Sequence, residues 1–249
     1  MRAAARMEMR ISFEDKQLLN QAAALTGHNA TSFVLETALK EAKRVWEAAH
    51  SVLLSAQDFD TLLKQMDTPT QPNPALWQAL QRTQAGQQAG QQVVRFHSLL
   101  EAHTYEFGSG DLQVDRFLQR QASSQEQADV SRVYVLADAN NHIRAFYTLR
   151  AAEVQRVGGA VGLSLPRYPL PALRLGLMAV DAGWQRQGMG AWLIADAIRR
   201  CAEAAEALGV YVLIADAERA SAQTWFRRFG FLPFPDNPTQ LYLPLIALD

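Results

Sequence analysis

The sequence has one cysteine, Cys201, so no internal disulfide can form. It falls in a helical pattern, where a cysteine packs rather than reacts. Such sparing use of thiols points to a reducing compartment, the cytoplasm. No apolar run approaches the roughly 18 residues that cross a bilayer, which excludes a spanning helix. Arg2 and Arg6 are not followed by an apolar stretch, so no secretory signal is expected. Net charge is also scarce, at −1 over 249 residues. The chain as a whole is therefore no generic polyanion binder, and any nucleic-acid contact must come from a local patch. The histidines (His28, His50, His97, His103 and His142) lack metal spacing of the His-Glu-x-x-His kind and read as structural or surface residues, with no metal expected. What is present is a 49% hydrophobic composition, enough to bury one large core or two small ones.

The composition changes near the middle. Residues 81–92 carry no apolar side chain larger than alanine, so they have nothing to dock with and read as a linker. A polar helix end is the alternative, because Gln and Ala are good helix formers. Prolines between Pro69 and Pro74 break structure just upstream. The division is residues 1–50, a small module; 51–80, an arm; 81–92, the linker; and 93–249, a larger domain. No internal repeat is present.

In the first module Met7, Met9 and Ile11 alternate with Arg6, Glu8, Arg10 and Ser12, which predicts a short strand with one apolar and one charged face. Ser12 and Asp15 form a capping-box-like helix start, and Gly27 ends that helix. Asn29 or Thr31 caps a second helix, with Phe33, Val34, Ala38, Leu39, Ala42, Val45 and Trp46 on its buried side. A single strand cannot satisfy its own backbone, and so small a core is marginal alone. A two-fold dimer with paired strands answers both problems, and a two-stranded ribbon fits the DNA major groove. The layout resembles ribbon-helix-helix repressors. The runs Arg-Met-Glu-Met-Arg-Ile-Ser-Phe-Glu-Asp-Lys, Ala-Ala-Ala-Leu-Thr-Gly and Thr-Ser-Phe-Val-Leu resemble TacA-type antitoxins over residues 6 to 80. The resemblance implies a homodimer through the N-terminal strand, with Arg6, Glu8 and Arg10 facing operator DNA. An exposed face on a pure dimerisation module is the plainer reading. The module is only slightly basic, seven Lys/Arg against six Asp/Glu from Met1 to His50.

In the arm, Val52, Leu53 and Leu54 lead to Ser55, a cap ahead of Asp58, Phe59, Leu62, Leu63 and Met66, which predicts an amphipathic turn or two. Leu76, Trp77 and Leu80 follow the prolines. These apolar groups are too few to fold alone and must dock on something. In TacA-like antitoxins the segment matching Asn73 to Leu76 wraps the cognate toxin.

Beyond the linker, a hairpin is expected from Val133 to Leu149 around Asp138 to Asn141, then a strand from Leu173 to Val180. A helix with Leu193, Ile194, Ala197, Ile198, Cys201, Ala205 and Leu208 closes at Gly209. Val210 to Ala215 is a strand, Arg219 to Phe229 a helix ended by Gly230, and Leu241 to Ile246 a last strand near an edge because of Pro244. The fold class is mixed α/β. The loop Gln185, Arg186, Gln187, Gly188, Met189, Gly190 and Ala191 lies between a strand and a long helix. Its glycines let the backbone approach an anion, and the helix start points N–H groups at it, which suits a pyrophosphate. It lacks the Lys-Ser/Thr of a P-loop and the third glycine of a dinucleotide fingerprint.

The run Leu165 to Gly176, then Met178, Ala179, Val180 and Asp181, then Gln-x-x-Gly-x-Gly, with Phe229-Gly230-Phe231 downstream, resembles a GNAT acyltransferase. Phe107 to Gly110 and Val114 to Leu118 extend the resemblance to TacT-type toxins, over residues 95 to 246. It implies acetyl-CoA binding, with pantetheine along Met178, Ala179 and Val180 and pyrophosphate on Gln185 to Ala191. It also implies acetylation of aminoacyl-tRNA, the activity known for that family. One position departs. The family's catalytic tyrosine, its general acid, is matched by Phe226, which has no proton to give. Tyr242 and Tyr211 are possible substitutes, Tyr211 in an expected core strand. Residues 81–249 carry equal numbers of acidic and basic groups. Arg199-Arg200 and Arg227-Arg228 form either a local patch for RNA or ordinary solvated faces.

The expectation is an antitoxin–toxin fusion: a GNAT fold preceded by a ribbon-helix-helix domain and an arm, self-neutralised, keeping acetyl-CoA and operator DNA but weak in catalysis. The competing readings are an active N-acetyltransferase on aminoacyl-tRNA or a small amine, with a dimerisation handle, and a pure autorepressor.

Overall fold

The computed structural model describes residues 8–67, 73–88, 93–95, 103–138, 140–157 and 169–245. The chain forms two compact units, Met1–Ala49 and His50–Asp249. Among the described residues no helix is long and apolar enough to cross a membrane.

In the first unit α1 (Phe13–Leu25) starts where Ser12 is extended and its Oγ accepts the Asp15 N–H at 3.0 Å. The same hydroxyl donates to Asp15 Oδ2 at 2.7 Å, so Asp15 does the work of the usual glutamate. Gly27, at φ +74, turns the chain out of the helix. Of the two candidate caps for α2 (Ala30–His50), Asn29 takes the role: its Oδ1 accepts the Ser32 N–H at 2.8 Å.

Two expectations fail here for one reason. Residues 8–12 form no strand, and Met9 is 61% exposed. No residue of α2 is buried, and Leu39, Val45 and Trp46 are each more than half exposed. A strand needs a ladder partner and an apolar helix face needs a surface, and the single unit of about fifty residues provides neither. Arg6 and Met7 lie outside the described residues.

The second unit is built on an eight-stranded sheet ordered β2 (Val93–Arg95), β3 (Arg132–Ala137), β4 (Ile143–Arg156), β5 (Leu170–Val180), β6 (Val212–Asp216), β8 (Gln240–Pro244), β7 (Leu232–Pro233). The expected β3–β4 hairpin is present, and Pro244 lies in the strand next to the edge. The eighth strand, β1 (Ser51–Leu54), comes from the arm. β3 pairs with β4 only as far as Leu149, and β1 runs parallel to the stretch of β4 that remains, from Ser51↔Glu153 to Leu54↔Arg156. It covers backbone that would otherwise be an open edge.

The arm then divides over the two faces of the sheet. Alternate residues of β6 point to opposite sides, with Val212 and Ile214 on one and Leu213 and Ala215 on the other. α3 (Ala56–Asp67), capped by Ser55 Oγ accepting the Asp58 N–H at 3.1 Å, packs Phe59 and Leu62 with Val212, Ile214 and Tyr242. α4 (Pro74–Gln88) packs Leu76 and Ala79 on the other face, with α7 (Met189–Leu208). Leu54, Phe59, Leu62 and Leu76 are each at most 2% exposed. Burying each is worth roughly 1.5–3 kcal/mol as an upper estimate, so the arm is part of the domain's core. The segment read as a linker is helical through Gln88, which is the Gln/Ala helix alternative.

α5 (Leu112–Arg120) and α6 (Ala122–Gln127) cover the β3–β4 hairpin through Phe117, Leu118 and Ala122. On the opposite face Asp196 of α7 is buried. It accepts Tyr147 Oη at 2.6 Å and pairs with Arg199 and Arg200, both at 2.8 Å. Burial first, then this carboxylate, keeps the Tyr147 phenol protonated. Arg200 also lies over the Tyr134 ring, 4.3 Å from its centroid. Arg199 also pairs with Glu203, so the two arginines are balanced by two carboxylates and read as a paired structural cluster.

Candidate active site

β5 and β6 are paired in parallel from Ala172↔Val212 to Leu175↔Ala215 and no further. β5 runs on to Val180, held by β4 on its other side, while β6 ends at Asp216. The two strands part, and Gly176 to Val180 keep one edge without a neighbouring strand. Gly176 marks the start of the split. A Cβ there would lie 2.5 Å from Thr148 Oγ1, the atom that accepts the Leu177 N–H at 3.0 Å, so only glycine permits this approach.

The gap is a cleft of about 460 Å³. Met178, Ala179 and Val180 form its β5 wall, with Gln185 and Gly190 at one end. Ser109, Asp111 and Val114 line it from the start of α5. Asp216, Arg219, Ala222, Trp225 and Phe226 close the far side, the last three from α8 (Ala220–Arg227). The loop into α7 is shaped by Arg186 (φ +60) and Gly188 (φ +88), both left-handed, and Gly188, having no side chain, gives the helix start no side-chain cap. Gln185 Nε2 donates to Ser109 O at 2.9 Å and Val180 O at 3.1 Å, which ties the loop to both walls.

Met178, Ala179, Val180, Gln185 and Gly190 thus come together in one cleft. Arg186, Gln187, Gly188, Met189 and Ala191 form the adjoining loop and helix start without lining it. Phe226 lines the cleft and is 8% exposed, edge-on to Trp225 and Phe231 at 5.1 Å. Neither substitute tyrosine reaches it. Tyr242 is buried in the α3 core, stacked on Phe234 at 4.5 Å, and Tyr211 precedes β6 and is 37% exposed rather than core. Among the described residues no tyrosine lines the cleft. Ser109, Asp111, Asp216 and Arg219 were not evident from sequence, being single residues at element ends. Asp111 caps α5 and pairs with Arg219 at 3.6 Å. Asp216 is held by Arg174 at 2.5 Å.

The arm reaches both ends of this region. Asn73 Oδ1 caps α4 by accepting the Leu76 N–H at 3.0 Å, and its Nδ2 donates to Arg228 O at 2.6 Å, just beyond α8. Arg227 and Arg228 are exposed there. At the other end Arg82 Nη1 comes within 3.3 Å of where a Cβ on Gly188 would stand. The arm docks on its own chain, from the end of the Phe226 helix to the glycine turn.

Residues 6–85 match the family model described as antitoxin TacA 1-like, and residues 129–233 match the acetyltransferase (GNAT) domain. The tRNA-acetylating toxin of Mycobacterium tuberculosis is 30% identical over 139 residues, covering 55% of this chain and 82% of the relative. The orphan antitoxin TacA of Haemophilus influenzae is 36% identical over 76 residues, 30% of this chain and 77% of the relative. Among solved structures, a Tyr-to-Phe mutant of KacT matches with a TM-score of 0.54 and 26% identity, over 62% of this chain and 95% of that one. AtaTR bound with AcCoA matches with a TM-score of 0.57 and 24% identity, over 62% and 94%. The mixed sheet with α7 and α8 is a GNAT fold.

Proposed function

This chain belongs to the TacA antitoxin family in its first third and to the GNAT toxin family that includes a tRNA-acetylating toxin beyond it, and on that basis we propose that it is a self-neutralised fusion which binds acetyl-CoA and acetylates aminoacyl-tRNA weakly or not at all. The observation that carries this is the arm docked on its own GNAT domain beside a formed cleft that holds Phe226 and no tyrosine among the described residues.

The cleft suits acetyl-CoA on its own chemistry. The edge of Met178–Val180 that carries no neighbouring strand offers backbone groups to pantetheine beside the Val180 carbonyl already held by Gln185, and the Gly188 turn with the start of α7 offers N–H groups to a pyrophosphate. Bound there, acetyl-CoA supplies an acyl group activated as a thioester. Phe226 can pack beside the departing sulfur but cannot protonate it. A general acid contributes on the order of 10²–10⁴ in rate, although a thiol with a pKa near about 8.5 leaves in part without help.

Arg82, in the stretch of α4 read from sequence as the start of the linker, is this helix's contribution to the cradle. Its guanidinium is exposed beside the glycine turn and complements a diphosphate. A Tyr-to-Phe mutant of the AtaT toxin has been solved bound to the C-terminus of its antitoxin AtaR and to acetyl-CoA, so a docked antitoxin is compatible with that cofactor in a similar protein. Discounted for solvent, one such contact is worth about 1 kcal/mol. Titration calorimetry of Arg82→Ala is therefore expected to show acetyl-CoA affinity lowered about 3- to 10-fold. Unchanged affinity would remove Arg82 from the site.

The N-terminal unit is a two-fold dimer in this proposal. The exposed Met9, Ile11 and the apolar side of α2 support it, since each asks for a second chain. The paired strands then present Arg6, Glu8 and Arg10 to base edges of operator DNA. In a mobility-shift assay on its own upstream DNA at low salt, the chain shifts the fragment and Arg10→Ala does not. Equal shifts from both would place the contact elsewhere.

A further inference from the structure

His103 and His142 are far apart in sequence but adjacent in the fold. His103 precedes a short 3₁₀ turn, Thr104–Glu106, and His142 precedes β4 at the tip of the β3–β4 hairpin. Their rings meet edge to face, 5.5 Å between centroids. Glu106 lies between them, with Oε1 3.5 Å from His103 Nδ1 and Oε2 2.9 Å from His142 Nε2. One ligand atom from each of the three residues falls within 4.8 Å of the others. On its far side His142 Nδ1 faces Asp138 Oδ2 at 3.3 Å.

The group is arranged as a cation site would be, with three ligand-bearing side chains facing one centre. A neutral imidazole has one N–H, yet both nitrogens of His142 face carboxylates. A proton on each nitrogen of His142 would settle that residue alone. His103 Nδ1 is buried and makes no hydrogen bond, its nearest carboxylate oxygen being Glu106 Oε1 at 3.5 Å. A metal ion at the centre of the triangle satisfies His103 Nδ1, Glu106 and His142 Nε2 together. It also makes His142 Nδ1–H a donor to Asp138, the outer contact that metal-bound histidines usually make. Asp138 is fixed for this purpose. Its Oδ2 is paired with Arg144 at 2.5 Å, and its Oδ1 accepts the Asn140 and His142 N–H groups at 2.9 and 3.0 Å.

We propose that His103, Glu106 and His142 form a binding site for one zinc ion, with Asp138 orienting His142 from outside and a fourth position open to water. Two imidazoles and a carboxylate are a zinc donor set. Ligands about 2.1 Å from a tetrahedral ion stand about 3.4 Å apart, so only small side-chain shifts are needed. The ion fastens the 3₁₀ turn to the hairpin. The next residues, Phe107 to Ser109, are held by Gly108 N–H donating to Asp181 Oδ2 at 3.2 Å and Ala182 N–H to Gly108 O at 2.8 Å, and Ser109 lines the cleft. The site depends on neither the antitoxin nor the transferase reading. Sequence spacing gave no sign of it, because 36 residues separate the last two ligands.

The test is zinc titration of the full-length chain after chelator treatment and dialysis, read by calorimetry and by bound metal per chain. One zinc per chain is expected, with a raised melting temperature. Asp138→Asn weakens binding about 10- to 100-fold. His142→Ala and His103→Ala weaken it further, while His28→Ala, at the exposed pair with Glu36, leaves it unchanged. Circular dichroism and the elution volume on size-exclusion chromatography check that each variant is folded. No zinc bound by the wild-type chain, or equal binding by folded His142→Ala and His103→Ala, would overturn the proposal.

Discussion

Phe226→Tyr raises the rate of acetyl transfer to aminoacyl-tRNA by about 10²-fold or more when the arm is also released. Residue 226 is on α8 and lines the cleft, with Trp225 and Phe231 fixing its ring edge-on. The substitution adds one hydroxyl at the ring's far end, so it costs little packing and supplies a proton donor. Its effect is on the departing thiolate, and it should appear in turnover with acetyl-CoA affinity unchanged. Phe226→Leu is the control. It alters packing without adding a donor and should leave the low rate where it is. A rate that ignores the hydroxyl would mean that Phe226 does not stand at the position of the acid.

Leu76→Asp opens the arm, and its effect on the Phe226→Tyr background is of similar size. Leu76 is 1% exposed between α4 and α7. A carboxylate there loses about 1.5–3 kcal/mol of apolar burial and adds a desolvation cost of comparable size. Closure within one chain is otherwise hard to undo, because tethering holds the arm at an effective concentration of about a millimolar. Dilution or supply of a competing chain has little leverage against that. The double variant is expected to arrest translation in a cell extract, where each single variant does not. Hydrogen exchange gives the independent readout: amides of α4 lose protection in Leu76→Asp while those of β5 and α7 keep theirs. Fast exchange in α4 with no gain in rate would show that the arm does not inhibit.

Local features were legible in the sequence because local physics decides them. Ser12 with Asp15 and Ser55 cap helices where their spacing said they would, and Asn29 is one of the two caps offered for α2; Asn73 caps α4 although the sequence did not single it out. The glycine turn before α7 and the apolar run of β5 likewise mark the cleft. Long-range pairing decides the rest. Ser51–Leu54 is a strand because β4 has an unoccupied stretch of edge about a hundred residues later, and nothing within the segment says so. Arg82 beside Gly188, Ser109 and Arg219 in one cleft, and His103 beside His142 are products of chain topology. Arg199-Arg200 reads equally as a patch or a solvated face until the buried Asp196 is found under it. The strand expected up to residue 12 and the buried side expected of α2 are the converse case, where the pattern calls for a partner surface that the described residues of the unit do not supply.

The most direct measurement is made on the unmodified full-length chain. It is titrated with acetyl-CoA and then assayed with labelled acetyl-CoA and bulk charged tRNA. Binding of one acetyl-CoA per chain with no more than background acetylation is the result expected of a tethered arm beside a cleft without its acid. Steady turnover by the intact chain, or no acetyl-CoA bound at millimolar concentration, would contradict it.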